Sequence, residues 1–274
     1  MEKFELTQET LAYVTAEESV NTKKEYLVAG SQNVIIDRNK KVRSRPGYSK
    51  KGATSTATTL VRNGFTWNTS SGNDLPIRFY DDEMEVWLGT VDGETVDAWT
   101  RVKNSLSTTA IPRGADIFDG TESIDLLIFV QGDDNLYEWN GAVAIVDSIE
   151  ATTITKKGTT TYAQNRFYVN RDKTVVCVRT GTEYTYTGGE STTTLTGITD
   201  TTGLQEGDIL VQKVVIETDK PIANRNNHTI YSFENQIVVG SEEDNIRYIS
   251  ANDDYTDFTF SAPRLSGEDR KSTR

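Results

Sequence analysis

Short apolar runs separated by polar turns recur along the chain, and this pattern predicts paired β-strands rather than amphipathic helices. It is clearest between Asp116 and Ile149. There Leu126-Leu127-Ile128-Phe129-Val130 reads as one strand, Gly132-Asp133-Asp134-Asn135 as a turn, and Leu136-Tyr137-Glu138-Trp139 as the next strand. Asn140-Gly141 follows, a dipeptide suited to a tight hairpin because both residues tolerate positive φ, and Ala142 to Ile145 begins a third strand. A looser copy precedes it, with strands Ile77 to Tyr80, Met84 to Leu88 and Thr95 to Val102 around turns at Asp81-Asp82-Glu83 and Asp92-Gly93. Another follows at Arg166 to Val169 and Val175 to Val178, and a last one at Gln236 to Val239 and Ile246 to Ile249.

Repeats of roughly 40 residues with four short strands each are the pattern of β-propeller blades. The fold expected is therefore all-β and propeller-like, with a small inserted β unit and an extended N-terminal arm. Radially stacked sheets are buried on both faces, which accounts for the unbroken apolar run Leu126 to Val130. Residues 1–32 are polar and weakly patterned and form the expected arm, although Phe4-Glu5-Leu6 and Tyr13-Val14-Thr15 alternate like strands. Residues 33–179 hold the first part of the propeller-like region, opening with a hairpin of Asn33 to Asp37 against Val42 to Tyr48. In residues 180–218 the rhythm breaks into Thr-rich strands around Gly188-Gly189 and Gly207-Asp208, read as the inserted unit. Residues 219–274 return to the blade pattern and end in a polar tail.

Composition narrows the function classes. Hydrophobic residues make up 35% of the 274, and the frequent Thr with 9% aromatics favours strands. Net charge is −12 with a pI near 4.7, which argues against direct binding to nucleic-acid phosphates. An acidic lumen through which DNA passes without sticking remains compatible with that charge. Positive charge collects in one stretch, where Arg38, Lys40, Lys41, Arg43, Arg45 and Lys50 mark either a solvated hairpin or a patch that docks an acidic neighbour. Neither an N-terminal signal peptide nor a run of roughly 18 apolar residues is visible, so a soluble protein made in a reducing cytoplasm is expected.

Little catalytic chemistry is legible. His228 is the one histidine and Cys177 the one cysteine, which removes multi-histidine zinc sites and thiolate clusters. Neither a Gly-x-Ser-x-Gly elbow nor a phosphate-binding Gly-x-x-x-x-Gly-Lys-Ser/Thr loop occurs. The acidic clusters Asp81-Asp82-Glu83, Asp133-Asp134, Glu242-Glu243-Asp244 and Asp253-Asp254 all fall at turns, where carboxylates bond nearby backbone and stay solvated. Calcium is the metal such loops would suit, yet the EF-hand ligand spacing is missing. Trp87 and Trp139 stand at equivalent positions in successive repeats and are expected to pack between them rather than to stack on sugars. No catalytic, cofactor or metal residue is assigned.

Asn33-Val34-Ile35-Ile36-Asp37-Arg38, followed by Val42-Arg43-Ser44-Arg45-Pro46-Gly47-Tyr48, resembles a pattern at the start of many bacteriophage virion proteins. The Tyr184 to Gly189 segment, with Thr194-Leu195-Thr196-Gly197 and Gly207-Asp208, looks like the small β insertion of such tail proteins. Asn235 to Gly240, with Ile246 to Ser250 and Tyr255 to Phe258, looks like one of their propeller blades. The likeness spans about residues 33 to 262 and rests on turn-and-strand signals; the chain departs from it in being shorter. The resemblance implies a structural virion protein of a phage tail, a nozzle or collar subunit without enzymatic activity. It would assemble as a homo-oligomeric ring in the host bacterial cytoplasm and dock on other virion proteins; passive passage of DNA through a lumen is a further, secondary option. The alternatives are a host-surface glycan-binding tail adhesin and a virion glycosidase.

Overall fold

The computed structural model describes residues 61–69, 74–120, 122–133, 135–217, 227–233, 235–241, 246–251 and 254–258, with short strands at 13–14, 27–28, 34–36, 42–44 and 264–265. The chain divides into two units, Met1–Ala53 and Thr54–Arg274. The described residues are all-β and hold no helix.

In the first unit β1 (Tyr13–Val14) and β2 (Leu27–Val28) pair in parallel. The rest of the expected arm lies outside the described residues. β3 (Val34–Ile36) and β4 (Val42–Ser44) form the antiparallel hairpin expected from the sequence, with Val34 opposite Ser44 and Ile36 opposite Val42.

The second unit opens with a four-stranded antiparallel meander of β5 (Val61–Asn68), β6 (Asp74–Tyr80), β7 (Glu83–Val91) and β8 (Glu94–Lys103). Asp92 (φ 52°) and Gly93 (φ 87°) supply the two left-handed residues that a tight β7–β8 hairpin requires. A second sheet follows, built from β9 (Arg113–Asp119), β10 (Ile124–Val130) and β11 (Leu136–Trp139).

At this point the chain departs from the expected rhythm. Asn140-Gly141 does not close a hairpin, because only Gly141 takes positive φ. The Asn140 side chain instead accepts from Ala142 N (3.1 Å) and donates to Arg166 O (2.6 Å), which turns the backbone out of the sheet. β12 (Val143–Glu150) then enters a separate six-stranded sheet with β13 (Thr153–Lys156), β14 (Thr174–Cys177), β15 (Glu183–Thr185), β16 (Thr194–Thr196) and β17 (Ile209–Gln212). Its order is β15-β14-β17-β12-β13-β16. The β unit read at residues 180–218 is thus half of a larger one that already begins at Val143. The supposed repeat at Arg166 to Val178 is not a blade. Phe167 and Tyr168 lie outside any strand, and β14 pairs with β15 and β17. Both rings are buried aromatics of the insertion, and their apolar run mimicked a strand.

β18 (Val215–Glu217) returns to the second sheet and pairs with β11, placing Ile216 opposite Tyr137. The second sheet therefore takes its fourth strand from beyond the insertion. A third meander of β19 (Asn227–Phe233), β20 (Gln236–Ser241), β21 (Ile246–Ile249) and β22 (Arg264–Leu265) completes the unit.

The second sheet is buried on both faces. Leu127, Phe129, Tyr137 and Trp139 pack with Ile77, Phe79, Met84 and Val86 of the first sheet. On the opposite face Leu126, Ile128, Val130 and Leu136 pack with Ile230, Ile237 and Val239 of the third. This explains five consecutive apolar residues in β10: alternate side chains serve two different cores. Trp139 lies in the first of these cores beside Trp67, with ring centroids 6.0 Å apart. Trp87 is also buried but does not belong to that cluster, and it meets Trp99 edge-on across the β7–β8 pair at 5.6 Å.

Candidate functional site

The basic residues singled out from the sequence are reached only in part. Arg43 is the middle residue of β4, opposite Ile35, while Arg38, Lys40, Lys41, Arg45 and Lys50 lie outside the described residues. His228 falls within β19, and its side chain also lies outside them.

Of the acidic turns, Asp134, Glu242, Glu243, Asp244 and Asp253 lie outside the described residues, and the others bond backbone and neighbouring side chains. Asp82 Oδ2 accepts from Ser105 N at 3.2 Å, and Asp254 Oδ1 from Thr256 N at 2.9 Å. Asp133 accepts from Asn135 N (3.1 Å), Gln131 Nε2 (2.8 Å) and Tyr137 OH (2.6 Å). Burial and the adjacent Asp133 push the Tyr137 phenol up to about 12. Among the described residues no group of three or more His, Cys, Asp or Glu is placed to hold a metal ion.

The densest constellation of reactive groups was not anticipated. It centres on Glu138 of β11, a carboxylate only 1% exposed in its side chain. Alternation along Leu136-Tyr137-Glu138-Trp139 sends Tyr137 and Trp139 to the first-sheet core and leaves Glu138 on the face of Leu136. There Glu138 Oε1 accepts from Tyr168 OH and from Arg171 Nη2, and its Oε2 accepts from Tyr255 OH. Arg171 also reaches Asp119 Oδ2 of β9 at 2.6 Å and lies 4.9 Å from the centroid of the Tyr168 ring. Four segments meet at this point: β9, β11, the insertion loop carrying Tyr168 and Arg171, and the Tyr255 turn after β21. The one sequence signal was a glutamate inside a four-residue strand whose other members are all core-sized, since a buried carboxylate needs a cation and donors.

A tyrosine, a carboxylate and a guanidinium in contact invite a catalytic reading, and the geometry argues against it. Tyr168 is fully buried and Tyr255 is 6% exposed, and both hydroxyls are already committed to Glu138. Burial, with the Glu138 charge beside them, pushes both phenols far above the ordinary tyrosine range, the wrong direction for a nucleophile. The Arg171 guanidinium is held charged by Glu138 and its neighbours against the cost of burial. What this cluster can do is fasten. It ties the insertion and the third sheet to the second with charge-assisted hydrogen bonds.

Several exposed apolar residues lie on edge strands, while Ile111 and Val169 are exposed outside any strand. Phe118 of β9 is 46% exposed, and Tyr231 and Phe233 of β19 are 46% and 59% exposed. Val61 of β5 is 52% exposed. β5, β9 and β19 each form an edge of their sheet.

No family model, curated protein or solved structure matches the chain.

Proposed function

We propose that this chain is a structural virion protein of a bacteriophage tail, a nozzle or collar subunit without enzymatic activity, in which the three four-stranded meanders are successive propeller blades. The observation that carries the reading is the second sheet, sandwiched between the first and the third in chain order. Sequential four-stranded meanders stacked face to face are what a propeller requires, and its rings commonly hold four to eight blades. The edge strands β5, β9 and β19 begin their meanders, the place of the inner strand in each blade. The assignment to a phage tail rests on the likeness of the hairpin and blade segments to such proteins.

The closed Glu138 cluster supports a scaffold over an enzyme, because the richest set of reactive groups among the described residues is spent on packing. A ring of identical subunits would supply further blades and cover the exposed Tyr231, Phe233 and Phe118. Electron microscopy of the purified chain and of particles bearing a tagged copy tests the proposal. Rings of the chain, and the tag at the tail, are the expected result. A monodisperse monomer that binds or cleaves host polysaccharide and is absent from particles would replace this reading with that of an adhesin or a glycosidase.

A further inference from the structure

A cleft of about 360 Å³ opens where β8, the insertion and the strand returning to the second sheet converge. Its apolar wall includes Val176 and Val178 from the insertion and Val214 and Ile216 from the return, and Ile216 is 41% exposed. Three cations line it, and two are already matched. Arg101 donates to Val178 O at 2.8 Å and pairs with Glu83 at 3.3 Å, while Lys213 pairs with Glu183 at 2.7 Å. Lys103 differs: it is half-buried, and among the described residues it has neither an ion-pair nor a hydrogen-bond partner. Burial pushes its ammonium below the ordinary lysine range; Glu183 opposes that push and the charge of Lys213 adds to it.

Glu183, the anion that acts on Lys103, is already bonded to Lys213, so this half-buried cation beside an apolar wall is left with an incomplete pairing. Asp172 and Glu183 also line the cleft and bound the ligand's charge, since a dianion would meet their repulsion. The geometry points to a binding site for a monocarboxylate on a short apolar body, with the carboxylate on Lys103 and the body along Val176, Val178 and Ile216. This goes beyond the scaffold role and does not depend on it.

The test uses the full chain with its lysines ¹³C-dimethylated, hexanoate as the probe, and acetate and hexanol as comparisons. Loss of one signal in Lys103→Met assigns that residue. Hexanoate should shift the Lys103 signal saturably and raise its pKa. Acetate should bind about tenfold or more weakly, because it leaves the apolar wall empty, and hexanol should leave the Lys103 titration unchanged. Ile216→Ser should weaken hexanoate with the Lys103 signal still present, and Lys157→Met should change nothing. Binding of hexanoate that is equal in Lys103→Met, equal to that of acetate, or never saturable would overturn the assignment.

Discussion

Asp92 and Lys156 form an ion pair of 2.5 Å in which neither side chain is more than 1% exposed. Asp92 sits at the tip of the β7–β8 hairpin, whose left-handed turn carries the carboxylate from the first sheet into the insertion. Its Oδ1 also accepts from Asn165 Nδ2 (2.8 Å), and its Oδ2 accepts from Ile145 N (3.0 Å). Lys156 completes its shell with Lys157 O at 2.9 Å and Thr160 Oγ1 at 3.0 Å. Gly158 lies so close that a Cβ there would stand 3.1 Å from Asp92 O. The hairpin tip is thus a plug seated in the insertion, and Lys156 matches its charge there.

Removing one charge of this pair should cost far more than removing both. Asp92→Asn keeps a residue that tolerates positive φ and leaves Lys156 charged and buried, for an expected loss of about 3 kcal/mol. Asp92→Asn with Lys156→Met should regain at least half of that loss, since an apolar side chain of similar length suits the site. Urea unfolding of the three proteins gives the comparison. Equal stabilities for the single and double variants would mean that Lys156 is not held by this charge.

Glu138 is the corresponding lock on the other side of the second sheet. Tyr255→Phe deletes one hydrogen bond to it and should lower stability by about 1–2 kcal/mol. Glu138→Ala leaves Arg171 short of its buried anion and should cost about 3–5 kcal/mol. Hydrogen exchange should locate the Tyr255→Phe effect in residues 254–258 and β21, because that hydroxyl is their tie to β11. Uniform loss of protection along the chain would show that the cluster is not a local fastener.

Alkaline pH should unfold the protein through its tyrosines. Burial raises the phenols of Tyr162, Tyr168, Tyr186 and Tyr255 well above their ordinary value, and that of Tyr137 to about 12. A folded pKa above the unfolded one leaves stability unchanged below about pH 10 and removes it as pH rises from there toward the folded value. Absorbance at 295 nm should therefore show an exposed subset of the 12 tyrosines ionising first. A second step should coincide with loss of the far-ultraviolet β signal. One step near pH 10 with the β signal intact would contradict the burial of these rings.

The strands were legible wherever the apolar pattern was local. Val34–Ile36 against Val42–Ser44, the Asp92-Gly93 hairpin and the Leu126–Val130 run all follow from neighbouring residues alone. The extent of the insertion was not, because it turns on Asn140. A dipeptide that suits a hairpin also suits an exit from a sheet, and the choice is made by Arg166 O, 26 positions away, which Asn140 Nδ2 binds. The Glu138 and Asp92 locks were hidden for the same reason. Their partners lie 30 to 117 positions off for Glu138 and 53 to 73 for Asp92, and no local rule pairs residues over such distances.

Charge reversal in the basic hairpin tests docking separately from folding. Arg43 occupies β4 opposite Ile35, and in the sequence it stands near Arg45 and Lys50 on a chain of net charge −12. An isolated basic patch on an acidic protein attracts an acidic neighbour and fixes its register, and reversal converts that attraction to repulsion. The triple variant Arg43→Glu, Arg45→Glu and Lys50→Glu should fold with an unchanged β spectrum. Its stability to urea should stay within about 0.5 kcal/mol of the parent, the change expected if these charges serve docking rather than folding. Under the proposed tail role the loss is expected in assembly: particles made with only this variant should lack the protein or fail to infect, and raised salt should weaken docking of the parent in vitro. Since the patch would act before any chemistry, particle composition is the readout that separates it from a solvated hairpin. Normal, infectious particles carrying the variant at full copy number would refute the docking role.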